Sequence, residues 1–280
     1  MTPGQPWTRR GALVALAGVS AVCARAAWGS DDVAPAAGLS PAADGVVRAV
    51  GDDGVLVLED ARRVRLAALR LPHATDLPPD ASADERTRVA AWAGAARDRL
   101  RAVCVGRPVR LWTPRVARDR YGRVVAQVVL SPGVGWLQAD LIGRGLARVA
   151  TMPGAAAGAD RLLRLEARAR IARRGLWDDP LYAPRAPTET WPWIGTFQIV
   201  RGTVRDAARV RGRVYLNFGP DWRRDFTVMV ERPRDAGLAV ADLLDLKHQF
   251  IQVRGWLFPT NGPMIALDHS EALEAHVILG

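Results

Sequence analysis

Short β-branched runs in the order three strands, one helix, two strands occur twice along the chain, which predicts a mainly β protein with helices (α+β), built as two OB-like five-stranded barrels in tandem. Two further observations agree. The 280 residues are 49% hydrophobic, enough to fill two cores of ordinary size. Between the two runs, Asp178 to Pro192 carries four prolines and little periodicity, the composition of a junction.

Residues 1–26 read as an export signal peptide: Thr8-Arg9-Arg10 precedes an apolar run from Gly11 to Val22 and the small-x-small pattern Ala24-Arg25-Ala26. The run is too short to span a bilayer, so no stable membrane span is expected. The arginine pair before a Gly/Ala-rich stretch is similar to a twin-arginine signal, although Ala12 and Val14 stand where Phe and Lys are usual, and a general secretory signal is the alternative. Either route predicts an exported chain, periplasmic or extracellular. Cys23 leaves with the signal, and Cys104 alone then forms no internal disulfide and reads as a small core residue. Residues 27–44, rich in Gly, Ala, Pro, Ser and Asp, read as a disordered lead-in.

The first barrel spans 45–178. Val46–Val50, Val55–Leu58 and Val64–Leu69 form a meander, separated by turns at Gly51–Gly54 and Glu59–Ala61. After Pro78-Pro79, Val89, Trp92, Ala96, Leu100 and Val103 recur at helical spacing and predict a helix over Ala83–Val103, stopped by Gly106. Val109–Thr113 and Arg123–Leu130 read as a hairpin around Asp119–Gly122, with helices at Trp136–Gly143 and Asp160–Arg173 behind it. A linker over 179–193 leads to the second barrel, 194–280. Its strands are expected at Phe197–Arg205, Arg213–Phe218, Asp225–Glu231, Phe250–Leu257 and Pro263–Leu267, with a helix at Leu238–Leu246.

Arg62-Arg-Val-Arg-Leu-Ala-Ala-Leu-Arg-Leu-Pro-His73, followed after the helix by Asp119-Arg-Tyr-Gly-Arg123 and closed by Arg174-Gly-Leu-Trp177, resembles the staphylococcal-nuclease-like (thermonuclease) family. The second half is similar to the OB-like module appended to some exported bacterial relatives, through Val214–Gly219, Trp222–Phe226 and Arg254–Leu257 with Gly262–Ile265. The resemblance implies phosphodiester hydrolysis with one calcium ion. Two arginines would clamp the phosphate, a glutamate would activate water, and two aspartates with a backbone carbonyl would hold the metal. Arg65 falls at the first arginine and Arg123 at the second, where a guanidinium suits bidentate phosphate contact. Tyr121 would support the phosphate or steady the turn.

Pro72 fixes the register of the remaining positions. A calcium aspartate becomes Arg70 and the glutamate becomes His73, which retains the chemistry of a base without that of a metal site. The other aspartate falls at Asp52, or at Asp53 after a one-residue slip, and a single carboxylate there more readily pairs with an arginine or caps a turn. No cofactor is therefore expected where the family uses calcium. In the second barrel, Trp222, Arg223 and Arg224 are candidates for nucleic-acid contact, or Trp222 plugs the barrel end. His269 and His276 lack partners at metal-ligand spacing and read as surface residues.

The net charge is +10, of which Arg9, Arg10 and Arg25 contribute three, and the excess suits a polyanion. Thirty-eight arginines against one lysine also fit biased codon usage. The resulting expectation is a degenerate nuclease domain that binds nucleic acid or another polyanion through Arg65, Arg70 and Arg123. The alternatives are an active phosphodiesterase using Asp52 or Asp53 with His73, and a non-enzymatic module that binds an envelope protein partner.

Overall fold

The structure, a computed structural model, describes residues 35–130 and 132–275. Residues 1–26, expected to be an export signal, together with residues 27–34 of the expected lead-in and His276, lie outside the described residues.

Alternation of buried and exposed residues builds the first barrel. β1 (Ser40–Val50) begins inside the expected lead-in, because the backbone of Ser40–Ala42 pairs with Leu111–Thr113 and is strand, not coil. β2 (Leu56–Leu58) and β3 (Arg63–Leu66) follow as predicted. The strand expected to continue to Leu69 breaks after Leu66. Ala68 takes a positive φ of 58°, and the chain resumes as β4 (Leu69–Arg70) in another pairing. α1 (Ala83–Cys104) opens on a capping box, with Ser82 Oγ accepting from Glu85 N–H and Glu85 accepting from Ser82 N–H. It buries Val89, Ala96, Leu100, Val103 and Cys104 on one face.

β5 (Pro108–Thr113) and β6 (Val124–Leu130) complete a ring in the order β1-β2-β3-β6-β5 and back to β1. All neighbours are antiparallel except β3 with β6. This is a closed five-stranded barrel around Leu56, Leu58, Val64, Leu111 and Val128. All of β6 is buried. Beyond it lie β7 (Gly135–Trp136) and α2 (Leu137–Gly143), whose buried Gln138 donates to Ala126 O and accepts from Val128 N–H.

β8 (Arg148–Val149) pairs with β4, and α3 (Ala159–Ile171) closes the unit. The Arg174-Gly-Leu-Trp177 ending has a steric reason. A Cβ on Gly175 would lie 2.3 Å from Gly145 O, and one on Gly145 would lie 1.9 Å from Arg174 O, so neither backbone tolerates a side chain at this crossing.

The expected linker is a run of short 3-10 turns, at Pro180–Tyr182, Pro187–Glu189 and Trp191–Trp193. Leu181 and Tyr182 pack in an apolar cluster with Leu77, Val89 and Trp177 of the first barrel and Ile199 of the second.

The second sheet has seven strands where five were expected. They are β9 (Phe197–Thr203), β10 (Asp206–Val210), β11 (Arg213–Asn217), β12 (Thr227–Val230), β13 (Phe250–Pro259), β14 (Pro263–Ala266) and β15 (Leu273–Ala275), with α4 (Val240–Leu244) before β13. The long first strand bends at Val204-Arg205, so its two halves serve different neighbours: β9 pairs with β13 and β10 with β11. β15 adds to the far side of β13. Pairings of β11 with β12, of β12 with β14 in parallel and of β14 with β13 then repeat the order of the first barrel.

A buried ion network fastens one barrel to the other. Arg254 on β13, with 1% of its side chain exposed, donates to both Glu166 oxygens of α3 (3.2 and 2.8 Å), to Val149 O (2.8 Å) and to Glu274 (2.6 Å). Burial opposes the charge, yet Glu166 and Glu274 hold the Arg254 guanidinium above its usual range. Arg148 repeats the arrangement beside it, pairing with Asp76 at 2.9 Å and donating to Phe197 O.

Candidate functional site: a cleft between the barrels

The outer face of β3, the segment after β8 and the strands β13 and β14 leave between them a cleft of about 500 Å³. The first barrel lines it with Arg65, Arg70, His73, Thr151 and Met152, and the second with Trp256, Phe258, Asp268 and His269.

Alternation on β3 sends Val64 and Leu66 into the core and leaves Arg63 and Arg65 outside. Arg65 is half-buried. Its only side-chain hydrogen-bond partner among the described residues is the Met152 thioether, 3.2 Å from Nη1, and no carboxylate pairs with it. Burial, and then the nearby positive charge of Arg123, hold this guanidinium below the usual arginine range; Asp119 opposes them and Arg70 adds to them. The parallel register, Val64 beside Val124, brings Arg65 and Arg123 to the same edge.

Arg123 is differently provided for. Its Nε donates to Asp119 at 2.7 Å and its Nη1 to Asp53 at 3.2 Å. Asp119 also accepts from the Tyr121 and Arg123 N–H groups and so holds the turn. Tyr121, 70% exposed at the tip, lies against Arg120 and Arg123, with guanidinium carbons 5.5 and 5.1 Å from the ring centre. It is positioned to steady Arg123 while presenting an open ring edge.

Arg70 is bound to its own barrel rather than free in the cleft. Asp76, 4% exposed, accepts from Arg70 Nε at 2.8 Å, and Thr75 Oγ1 accepts from Nη2 at 2.7 Å. The guanidinium lies over Trp256 at 4.8 Å. His73 caps the 3-10 turn Ala74–Asp76, its Nδ1 accepting from Thr75 N–H. Asp53 both caps its turn, accepting from Val55 N–H, and pairs with Arg123; the partner is Arg123 rather than Arg70. Asp52 has 92% of its side chain exposed and among the described residues reaches only Arg97 and Arg101, at 3.9 and 4.0 Å. Among the described residues no three His, Cys, Asp or Glu side chains gather where they could hold an ion.

Trp222, Arg223 and Arg224 stand apart from this cleft. Asp225 draws the Gly219–Asp225 loop tight by accepting from Asp221 N–H, and a Cβ on Gly219 would fall 2.0 Å from that carboxylate. Trp222 is 49% exposed, so it does not plug the barrel, and Arg223 covers it at 4.5 Å. With Phe218, Arg205, Lys247 and His248 it lines a separate depression.

Sequence reasoning missed Thr151 and Asp268 as lining residues and took His269 for a surface residue. His269 is in fact in the cleft, with 12% of its side chain exposed, bonded through Nδ1 to Asp268 and through Nε2 to Thr151, each at 2.6 Å. No spacing signals a contact across 118 residues.

The first ring is an OB-type barrel of the kind found in proteins that act on or bind nucleic acid. Residues 63–179 match the family described as Staphylococcal nuclease homologue, and this segment is a staphylococcal-nuclease-like domain. The match ends before the second sheet begins. No curated protein matches the chain. A staphylococcal-nuclease-like domain is compatible with nuclease activity or nucleic-acid binding. No helix among the described residues is long and apolar enough to cross a membrane.

Proposed function

We infer that the protein binds the backbone of a nucleic acid, or another polyanion, in the cleft between its barrels, and that calcium plays no part in this. The observation that carries the reading is Arg65: a half-buried guanidinium without a carboxylate partner, opening on a cleft and flanked by Arg123. A half-buried cation whose one side-chain hydrogen-bond partner among the described residues is a thioether lacks part of the compensation that buried charges ordinarily have, and a phosphate would supply it.

Calcium does not fit these residues. Its ligands are anionic or carbonyl oxygens. At one of the family's aspartate positions is Arg70, already held by Asp76, and the candidate for the other, Asp53, is engaged by Arg123. The same pairings weigh against an enzyme built on Asp53 and His73, since both side chains already serve their own turns. The Trp222–Arg224 loop is a second contact for a strand long enough to reach it. The pattern of residues 1–26 supports action outside the cytoplasm, in the periplasm or beyond.

Arg65→Ala tests the reading. One charge-assisted contact contributes roughly 1.5–3 kcal/mol, so affinity for single-stranded DNA at low salt should fall at least about tenfold. Unchanged affinity would remove the cleft from consideration as the binding site. Arg123→Ala is less informative alone, because it also releases Asp119 and Asp53.

A further inference from the structure

We propose that Thr151, His269 and Asp268 form a metal-independent nucleophilic site for phosphodiester chemistry in the same cleft, with Thr151 Oγ1 as the attacking atom. The substrate class rests on the reading of Arg65 as a phosphate contact.

An ionised carboxylate only accepts hydrogen bonds. Asp268 Oδ1 lies 2.6 Å from His269 Nδ1, so in the neutral imidazole the proton sits on Nδ1 and Nε2 is left as an acceptor. Among the described residues, Nε2 is bonded to the Thr151 hydroxyl, at 2.6 Å, which therefore donates to it. Hydroxyl, imidazole and carboxylate thus follow in the order nucleophile, base and orienting acid. The two halves come from different barrels: Thr151 follows β8, and Asp268 and His269 follow β14. All three line the cleft together with Arg65. Arg65 Nη1 contacts Met152, the residue next to Thr151, through a sulfur that is a weak acceptor and readily exchanged for a phosphate oxygen.

The step balances without a metal. Thr151 Oγ1 bonds to phosphorus as its proton passes to His269 Nε2; the bond from phosphorus to the leaving alkoxide oxygen breaks, and that oxygen takes the proton from Nε2. Arg65 neutralises the non-bridging oxygens. Water, deprotonated by His269, then displaces Oγ1, which recovers a proton, and a phosphomonoester leaves. Asp268 acts through His269 and is a positioning residue.

The full chain is treated with an alkyl fluorophosphonate in EDTA, and peptides are analysed by mass spectrometry. The folded protein should carry one adduct on Thr151, Thr151→Ser should retain it at that position and Thr151→Val should lose it. His269→Gln should slow labelling at least about a hundredfold, the scale of a lost general base. Asp268, with 66% of its side chain exposed, can be changed to Asn without disturbing the fold; labelling should then slow while the near-UV circular dichroism is unchanged, and Asp268→Glu should restore part of the rate. Absence of an adduct on folded protein, or equal labelling in His269→Gln, overturns the proposal and leaves Thr151 and His269 as a fastening between barrels. Binding of single-stranded DNA is measured in parallel on the parent. Binding without labelling overturns this proposal alone, whereas labelling without binding overturns the reading of Arg65 and keeps the activated hydroxyl.

Discussion

Arg254→Met should be among the most damaging single substitutions in the protein. Methionine keeps much of the apolar stem but removes every donor, so Glu166, with 1% of its side chain exposed, loses its ion-pair partner, and Val149 O loses a hydrogen bond. Breaking a buried pair from one side costs about 3–5 kcal/mol, because the remaining charge stays desolvated. At about 2–4 °C per kcal/mol for a chain of this size, the melting temperature should fall by about 6–20 °C. Thermal unfolding followed by circular dichroism at pH 7 measures this. Arg254→Met combined with Glu166→Gln should recover more than half of the loss: Gln carries no charge but still offers a carbonyl to Val149 N–H, which Glu166 now satisfies at 2.6 Å. The network is not perfectly matched, since Arg254 Nε is buried without a partner, so the double variant has that much less to replace. A single variant within about 1 kcal/mol of the parent would refute the view that this pair holds the barrels together.

Two further outcomes concern titration. Burial raises the Asp140 carboxyl, but bonds from Arg99 and Arg144 outweigh it and hold the group below the usual carboxylate range. Its contribution to stability is therefore present above the unfolded value near pH 4 and lost as pH falls through the folded one, so Asp140→Asn should lower stability at pH 7 and flatten the acid limb of the stability curve. Burial pushes the Cys104 thiol up to about 12. The thiol stays neutral in the fold, and its contribution is present below the unfolded value near 8.5–9 and lost as pH rises toward the folded one. Iodoacetamide at pH 8 should alkylate Cys104 only after unfolding, and rapid alkylation of native protein would contradict the burial.

The first barrel was legible in the sequence because its signals are local. Periodicity over Ala83–Val103 and the stop at Gly106 announce α1, and Arg65 and Arg123 stand in short motifs. The second sheet was less so. β10 reads Asp-Ala-Ala-Arg-Val and is mostly exposed, so no apolar alternation marks it, and β15 is only three residues long. Arg70 was read from the motif as standing where a carboxylate would be, and its pairing with Asp76 depends on a 3-10 turn that no periodicity reports. The cleft itself was illegible, because half its lining belongs to the other barrel: Trp256, Asp268 and His269 come beside Arg65 only through packing that Arg254 and Glu166 fix.

The central claim is phosphate contact by Arg65 without calcium, and its most direct measurement is the affinity of the parent protein for single-stranded DNA across a salt series, in EDTA and again in millimolar calcium. The account predicts equal affinity in the two solutions and a linear fall of log K with log salt, with a slope of about −0.7 for each phosphate neutralised. Binding that appears only with calcium, or cleavage stimulated by micromolar calcium, would contradict it.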